Sequence, residues 1–273
     1  MLPPRPLFFL LLAACGTPAP PARPGTVVSL LPSWTEIIVE IGAADRLLGC
    51  TDACVPLRDV ARVPWQGSVE AIVRLRPALV VRQAPRAAGD AFESALRGAG
   101  ITVLSLPSET IADVRAAIPA IGDALGVDTR GYVERFDKGL AAAKRKGEGR
   151  GEPPTVLFVV GRDPGGVANV DGAGAGTFLD ELIRCAGGRN ALEGTLEPYP
   201  KLRLEQIVRL KPQVIIDNVP GGGDAAKAWS ALPMIPAVRD GRVFAVSDRA
   251  LLIPGPKLPR SVERLAEMIH GRP

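Results

Sequence analysis

One nine-residue pattern occurs twice in this chain, and it constrains the fold more than any other feature. Val69-Glu70-Ala71-Ile72-Val73-Arg74-Leu75-Arg76-Pro77 precedes an apolar run at residues 78–81. Leu204-Glu205-Gln206-Ile207-Val208-Arg209-Leu210-Lys211-Pro212 precedes another at 214–216. Glu, Ile, Val, Arg, Leu and Pro recur at matching places. Proline lacks an amide donor and keeps the residue before it out of the right-handed helical region. Each copy therefore reads as a short helix, stopped before its proline, that leads into a buried strand.

A second pairing lies upstream. Ser33-Trp34-Thr35-Glu36 begins a helix that runs to Gly42, and Ser33 with Glu36 has the spacing of a capping box. Thr177-Phe178-Leu179-Asp180 begins a similar helix ending at Gly187-Gly188. Strands precede both, at 26–30 and 155–160. The order strand, capped helix, short helix, strand thus occurs twice, which predicts an α/β fold with parallel sheets in two similar lobes. The 273 residues suffice for a core in each half. Between the halves, Val133, Phe136, Leu140 and Ala143 form a helical stripe. A helix over 128–146 would be about 30 Å long. It ends in Lys144-Arg145-Lys146, where cations meet the helix dipole. The expected division is an N-terminal lobe at 26–126, a bridging helix at 127–150 and a C-terminal lobe at 151–273. A single helix makes a stiff hinge, and the cleft between two lobes is a preferred ligand site.

The first residues read as an export signal. Arg5 precedes an apolar run over 7–14, too short to span a membrane. Leu12-Ala13-Ala14-Cys15 resembles a bacterial lipobox, which implies removal of residues 1–14 and acylation of Cys15. Residues 15–25 then read as a Pro- and Ala-rich tether. The predicted location is the cell envelope, periplasmic or extracytoplasmic, with the lipid on Cys15 as the sole membrane attachment. The net charge of +4 is small, and no Lys/Arg block interleaves with aromatics, so no nucleic-acid partner is expected.

Cys50, Cys54 and Cys185 remain. Export makes a Cys50–Cys54 bridge possible, and the spacing alone leaves it open. No metal site is expected, because the C-x-x-x-C spacing is isolated and His270 is the single histidine. With one histidine, placed at a helix end, a Ser-His-Asp or Cys-His arrangement is also missing, so no catalytic residue is assigned. An exported enzyme is the less favoured class. The run Gly172-Ala173-Gly174-Ala175-Gly176 lacks the Lys-Ser/Thr ending of a nucleotide loop and reads as a cleft-rim loop.

Together these features resemble the class III periplasmic binding proteins of ABC importers for cobalamin, haem and ferric siderophores. The resemblance runs from about Thr26 to Ile269. The stretch Val27-Val28-Ser29-Leu30-Leu31-Pro32-Ser33-Trp34-Thr35-Glu36 is similar to that family's opening strand and S-x-T-E turn. Gly49-Cys50-Thr51-Asp52 is similar to its next strand end, and Gly187-Gly188-Arg189-Asn190 to its G-G-x-N motif. Trp65-Gln66-Gly67, with Tyr199-Pro200 in the other half, resembles the cobalamin branch, although Ala53 stands where that branch often carries Tyr.

The resemblance implies two α/β lobes bridged by one long helix, with the ligand held between them. It implies ligand contacts at Pro32, Ser33, Trp34, Trp65, Gln66, Gly67, Tyr199, Asp248 and Arg249. An aromatic face and its polar edge suit a broad amphipathic ring. It further implies that Glu70 and Glu205, equivalent in the two repeats, dock a twofold permease. The expected partners are an ABC permease with its ATPase and a bulky ligand, a corrinoid such as cobalamin, carried by a monomer without a cofactor. Haem and ferric siderophores are the alternatives: Tyr199 could serve haem iron, and Arg162 and Arg249 an anionic siderophore.

Overall fold

The computed structural model describes residues 23–64, 67–85, 90–149, 151–163, 166–247 and 249–271. The first lobe contains β1 (Arg23–Ser29), α1 (Pro32–Glu40), β2 (Leu47–Thr51), β3 (Ala61–Val63), α2 (Val69–Leu75), β4 (Pro77–Gln83), α3 (Ala91–Gly98) and β5 (Thr102–Leu106). Its five strands are all parallel, in the order β3-β2-β1-β4-β5. Helices cover both faces, so the strands are apolar on both sides. Val27, Leu79 and Val81 point into one apolar cluster, and Val28 and Val80 into another. β1 begins at Arg23, within the stretch expected as tether. The Arg23 amide donates to the Arg76 carbonyl at 3.0 Å, which adds these residues to the sheet.

Two helices follow, α4 (Ile111–Leu125) and α5 (Arg130–Gly147). α4 carries a complete capping box between Thr110 and Asp113. α5 is the expected bridge, with Phe136 and Ala143 of the predicted stripe buried. It packs along α4 and along the last helix of the chain. Arg115 of α4 grips Asp137 of α5 through two bonds of 2.7 Å. The start of α4 is tied to the second lobe: the Ile111 amide donates to Glu181 Oε2 at 2.7 Å.

The second lobe contains β6 (Thr155–Arg162), β7 (Asn169–Gly172), α6 (Phe178–Cys185), β8 (Arg189–Asn190), β9 (Lys201–Arg203), α7 (Leu204–Leu210), β10 (Val214–Asn218), α8 (Ala225–Trp229), α9 (Pro236–Arg239), β11 (Val243–Val246), α10 (Arg249–Leu252) and α11 (Leu258–His270). Its strand order is β11-β10-β6-β7-β9, with β8 also beside β6. This sheet is not wholly parallel as expected. β7 runs antiparallel to β6 and to β9. Only residues 163–168 separate β6 from β7, too few for the crossover a parallel pair requires. Val156, Phe158, Val214 and Ile216 face the same cluster as Val27 and Val81, while Leu157, Val159 and Ile215 face outward to a third. The two sheets therefore share one central apolar layer, filled by α1, α4, α5, α6 and α11. Burying an Ile, Leu or Phe side chain there contributes about 1.5–3 kcal/mol.

The duplicated pattern is expressed in backbone detail. α2 and α7 each end at a residue in the left-handed conformation, Arg76 at φ 53° and Lys211 at φ 46°. The proline that follows each excludes continuation of the helix. The upstream helices differ from each other. Thr177 caps α6 as expected, accepting from the Asp180 amide at 3.2 Å. Ser33 does not cap α1. The helix starts at Pro32, two residues earlier than a Ser33 cap requires, with Leu31 as an extended cap residue and no side-chain cap bond. Proline at the first helical position has its φ preset and no amide to satisfy. Glu36 turns instead to Lys257, with Nζ at 3.3 Å.

Candidate functional site

Open parallel sheets bind ligands outside the carboxyl ends of their strands, at the point where the strand order reverses. In the first sheet that point lies between β1 and β4. In the second it lies around β6 and β10. The residues that follow these strands are where the expected contacts fall.

After β1, the chain turns into α1 on a buried polar network. Thr35 Oγ1 donates to Ser29 Oγ at 2.8 Å, and Ser29 Oγ donates to the Leu31 carbonyl at 3.1 Å. Pro32, Ser33 and Trp34, expected to touch ligand, are buried instead. The Trp34 indole lies in the central apolar layer with 0% exposure, and its Nε1 has no partner among the described residues. A Cβ on Gly255 of the second lobe would lie 3.8 Å from the Ser33 Cα. These three side chains offer little surface to a ligand in this structure.

After β3, the chain doubles back. The Gly67 amide donates to the Pro64 carbonyl at 2.7 Å, and Gly67 has φ +77°. A Cβ there would meet the Phe92 ring at 2.7 Å, so glycine is required twice over. Phe92 is held in turn by the Arg82 guanidinium, 5.2 Å from its ring centre. Arg82 also pairs with Asp90. Burial acts to raise the Asp90 pKa, but bonds from Arg82 and from the Glu93 and Phe92 amides outweigh it and hold it below the usual value. Trp65 and Gln66 lie outside the described residues, as do Cys15 and Asp248. Arg249 begins α10.

Tyr199 stands half exposed on a loop whose backbone is pinned. The Gly172 and Gly174 amides donate to the Pro200 and Pro198 carbonyls, at 3.0 and 2.8 Å. A Cβ on Gly174 would lie 2.3 Å from the Glu197 carbonyl oxygen. The glycine-rich run is therefore a platform for the Tyr199 loop. Asn190 of the G-G-x-N motif completes it. Its amide donates to the Ala173 carbonyl and to Asp180, each at 3.1 Å, and its oxygen accepts from the Leu192 amide at 2.9 Å. Leu196 on the same loop is fully exposed.

A buried charge cluster closes the strand ends of the second sheet. Asp217, near the end of β10, accepts from Arg162 Nε and from Trp229 Nε1, both at 3.0 Å. Burial raises the Asp217 pKa despite those two bonds. The sequence marked Arg162 only as a cation for an anionic ligand. The structure commits its Nε to Asp217 instead. Asp217 and Trp229 carried no signal, because the pairing comes from strand order.

Glu70 and Glu205 take matching exposed places in the first turns of α2 and α7. Beside Glu205 lies a polar hollow of about 640 Å³, lined by Lys201, Arg203, Arg209, Gln206, Asp163 and Asn169. Among the described residues, no group of three or more His, Cys, Asp or Glu could hold a metal ion. His270 stands at a helix end, where its Nε2 donates to the Ala186 carbonyl at 3.0 Å. No helix among the described residues is long and apolar enough to cross a membrane.

Comparison with known proteins places this geometry. The chain is 29% identical to the uncharacterized ABC transporter substrate-binding lipoprotein YvrC of Bacillus subtilis (strain 168), over 91% of this chain and 81% of that one. It is 22% identical to a vitamin B12-binding protein of Vibrio parahaemolyticus, over 96% and 94% of the two chains. Among solved structures, the periplasmic heme-binding protein BhuT, in complex with two hemes, superposes with a TM-score of 0.77 at 29% identity, over 89% of this chain and 97% of that one. These are solute-binding proteins of ABC importers, with two lobes, and not enzymes. Residues 27–250 match the family model described as periplasmic binding protein, and with two α/β lobes around a shared helical layer the chain belongs to that family.

Proposed function

We propose that this protein captures a corrinoid such as cobalamin and delivers it to an ABC permease and its ATPase. The observation that carries the reading is the supported loop of Tyr199 in one lobe, with the constrained Gly67 in the other. In the first lobe, Gly67 stands where any Cβ would clash with the Phe92 ring. The Tyr199 loop is pinned through Gly172, Gly174 and Asn190. A supported loop that presents an aromatic group, as the one bearing Tyr199 does, suits a broad, flat, amphipathic ring. Gly67, Tyr199, Asp248 and Arg249 join Trp65 and Gln66 in the proposed site. Resemblance to the Vibrio vitamin B12-binding protein over nearly its whole length supports this choice.

Haem is the second reading, favoured by the likeness to BhuT and by the half-exposed Tyr199, whose phenolate can bind haem iron. Absorbance titration with cobalamin and with haemin separates the two. The corrinoid reading expects saturable binding of cobalamin, weakened at least tenfold by Trp65→Ala and much less by Tyr199→Phe. The haem reading expects a Soret shift that Tyr199→Phe abolishes. Wild-type cobalamin affinity in both Trp65→Ala and Tyr199→Ala would sink the proposed cleft.

The protein is further proposed to be a monomer anchored through a lipid on Cys15, as Leu12-Ala13-Ala14-Cys15 supports. Cys15→Ala should leave the protein unprocessed or free of membranes. Normal processing and membrane retention of that variant would remove the anchor.

A further inference from the structure

The first lobe holds two cysteines that the ligand site does not use. Cys50 pairs with Arg62 across β2 and β3, one residue before that pairing ends at Thr51 and Val63, and Cys54 follows across a tight turn. That turn is closed by the Cys54 amide, which donates to the Thr51 carbonyl at 3.0 Å. Arg62 Nη1 gathers the same segment. It lies 2.8 Å from the Thr51 carbonyl, 3.1 Å from the Cys54 carbonyl and 3.5 Å from Cys50 Sγ. The two side chains are 0% and 4% exposed, and both sulfurs are free thiols here. Burial raises the Cys50 pKa, and the Cys54 thiol lies close enough to raise it further. Cys185 stands apart on α6 in the other lobe.

We propose that Cys50 and Cys54 are a disulfide-forming pair, joined while the chain folds in an oxidising compartment. The step is thiol–disulfide exchange. One cysteine attacks a sulfur of an external disulfide, of a protein or of glutathione, and releases one thiol. The second cysteine attacks the mixed disulfide and releases the other. The pair loses two electrons and two protons, and the external disulfide leaves as two thiols. No other atoms change hands.

Folding decides when this happens. The nucleophile is the thiolate, and in the finished fold burial, reinforced by the Cys54 thiol, pushes the Cys50 pKa up to about 11. At neutral pH only ~10⁻⁴ of it is ionised, so the folded dithiol exchanges slowly. The redox state is therefore set before β2 and β3 close over the sulfurs, and is kept afterwards. It also reaches the ligand lobe's scaffold. Cys54 Sγ lies 3.2 Å from Thr35 Oγ1, which bonds Ser29 behind the turn into α1. Oxidation removes one S–H from that network.

The test does not depend on export or on any ligand. The reduced, denatured chain is refolded in a glutathione redox buffer, then denatured with an alkylating reagent and digested with trypsin. Cleavage after Arg46 and Arg58 gives a peptide of residues 47–58 that holds both cysteines. The expected peptide is two hydrogens lighter than the dithiol form and carries no alkyl group, while Cys185 is alkylated. Folded, reduced protein kept in the same buffer should still yield the doubly alkylated peptide. Full chain purified from the cell envelope should yield the light peptide. Two alkyl groups on that peptide after refolding, or glutathione attached to either cysteine, would overturn the pairing.

Discussion

Asp217 shows how much of the site depends on a single buried group. Its carboxylate accepts from Arg162 and from the buried Trp229 indole. Asp217→Ala would leave a cation and an N–H without their partner, and should cost about 3–5 kcal/mol, read as a lower urea midpoint. Asp217→Asn keeps an acceptor for Trp229 and should cost less. The pH dependence has a definite sign. Burial raises the folded pKa above the unfolded value, so on raising the pH the unfolded chain ionises first. Wild-type stability relative to Asp217→Asn should therefore fall as pH rises from the ordinary aspartate range, and level off above the folded pKa. A rise over that window would contradict the burial of the carboxylate. Sequence could not have found this trio, because Arg162, Asp217 and Trp229 meet only through the β6–β10 pairing. Trp34 was more legible. Trp34, Ile37 and Ile38 stand at the spacing of one helix face. That stripe places the indole in the core, whatever the turn before it resembles.

At the scale of elements, the duplicated helices were readable because proline acts through local sterics alone. The same locality leaves a cost. Arg76 and Lys211 sit in the left-handed region, which disfavours a side chain by about 1–2 kcal/mol. Glycine removes that strain, while its freedom in the unfolded chain costs about 0.4–1 kcal/mol. Arg76→Gly and Lys211→Gly should each stabilise the protein by about 0.5–1 kcal/mol, measured by denaturation in urea. Lower stability in both would mean that those side chains hold contacts worth more than the backbone strain. The antiparallel β7 was not legible in the repeat, since it is inserted between the strand and the capped helix of the second unit, where the first unit has no counterpart. The short 163–168 link was the available signal. The failed cap at Ser33 has a local origin: Pro32 moves the helix start by two residues and puts the hydroxyl out of place.

For the whole molecule, the matched positions of Glu70 and Glu205 matter more than either residue alone. Each is exposed at the start of a duplicated helix, and we propose that they dock the permease. Glu70→Ala with Glu205→Ala should leave ligand affinity unchanged and strongly reduce uptake, with partial loss in each single variant. Added salt should weaken the wild-type complex more than the doubly substituted one. Uptake and ligand titration in the same variants decide it, and full uptake in the double variant would reduce both residues to stabilisers of their helix dipoles. The surroundings are not symmetric: Arg203 and Arg209 flank the hollow beside Glu205.

The central apolar layer draws side chains from β1 and β4 of one sheet and from β6 and β10 of the other. The covalent link over residues 148–154 therefore adds little to what keeps the halves together. A protease that cut there would leave two fragments still clasped through α4, α5, α6 and α11. Heat would take them apart in the same event that melts them, because neither half can withdraw without exposing the other's interior. By this measure the two lobes are one cooperative body that happens to carry two sheets, and a strand exchanged or deleted in either is felt by both.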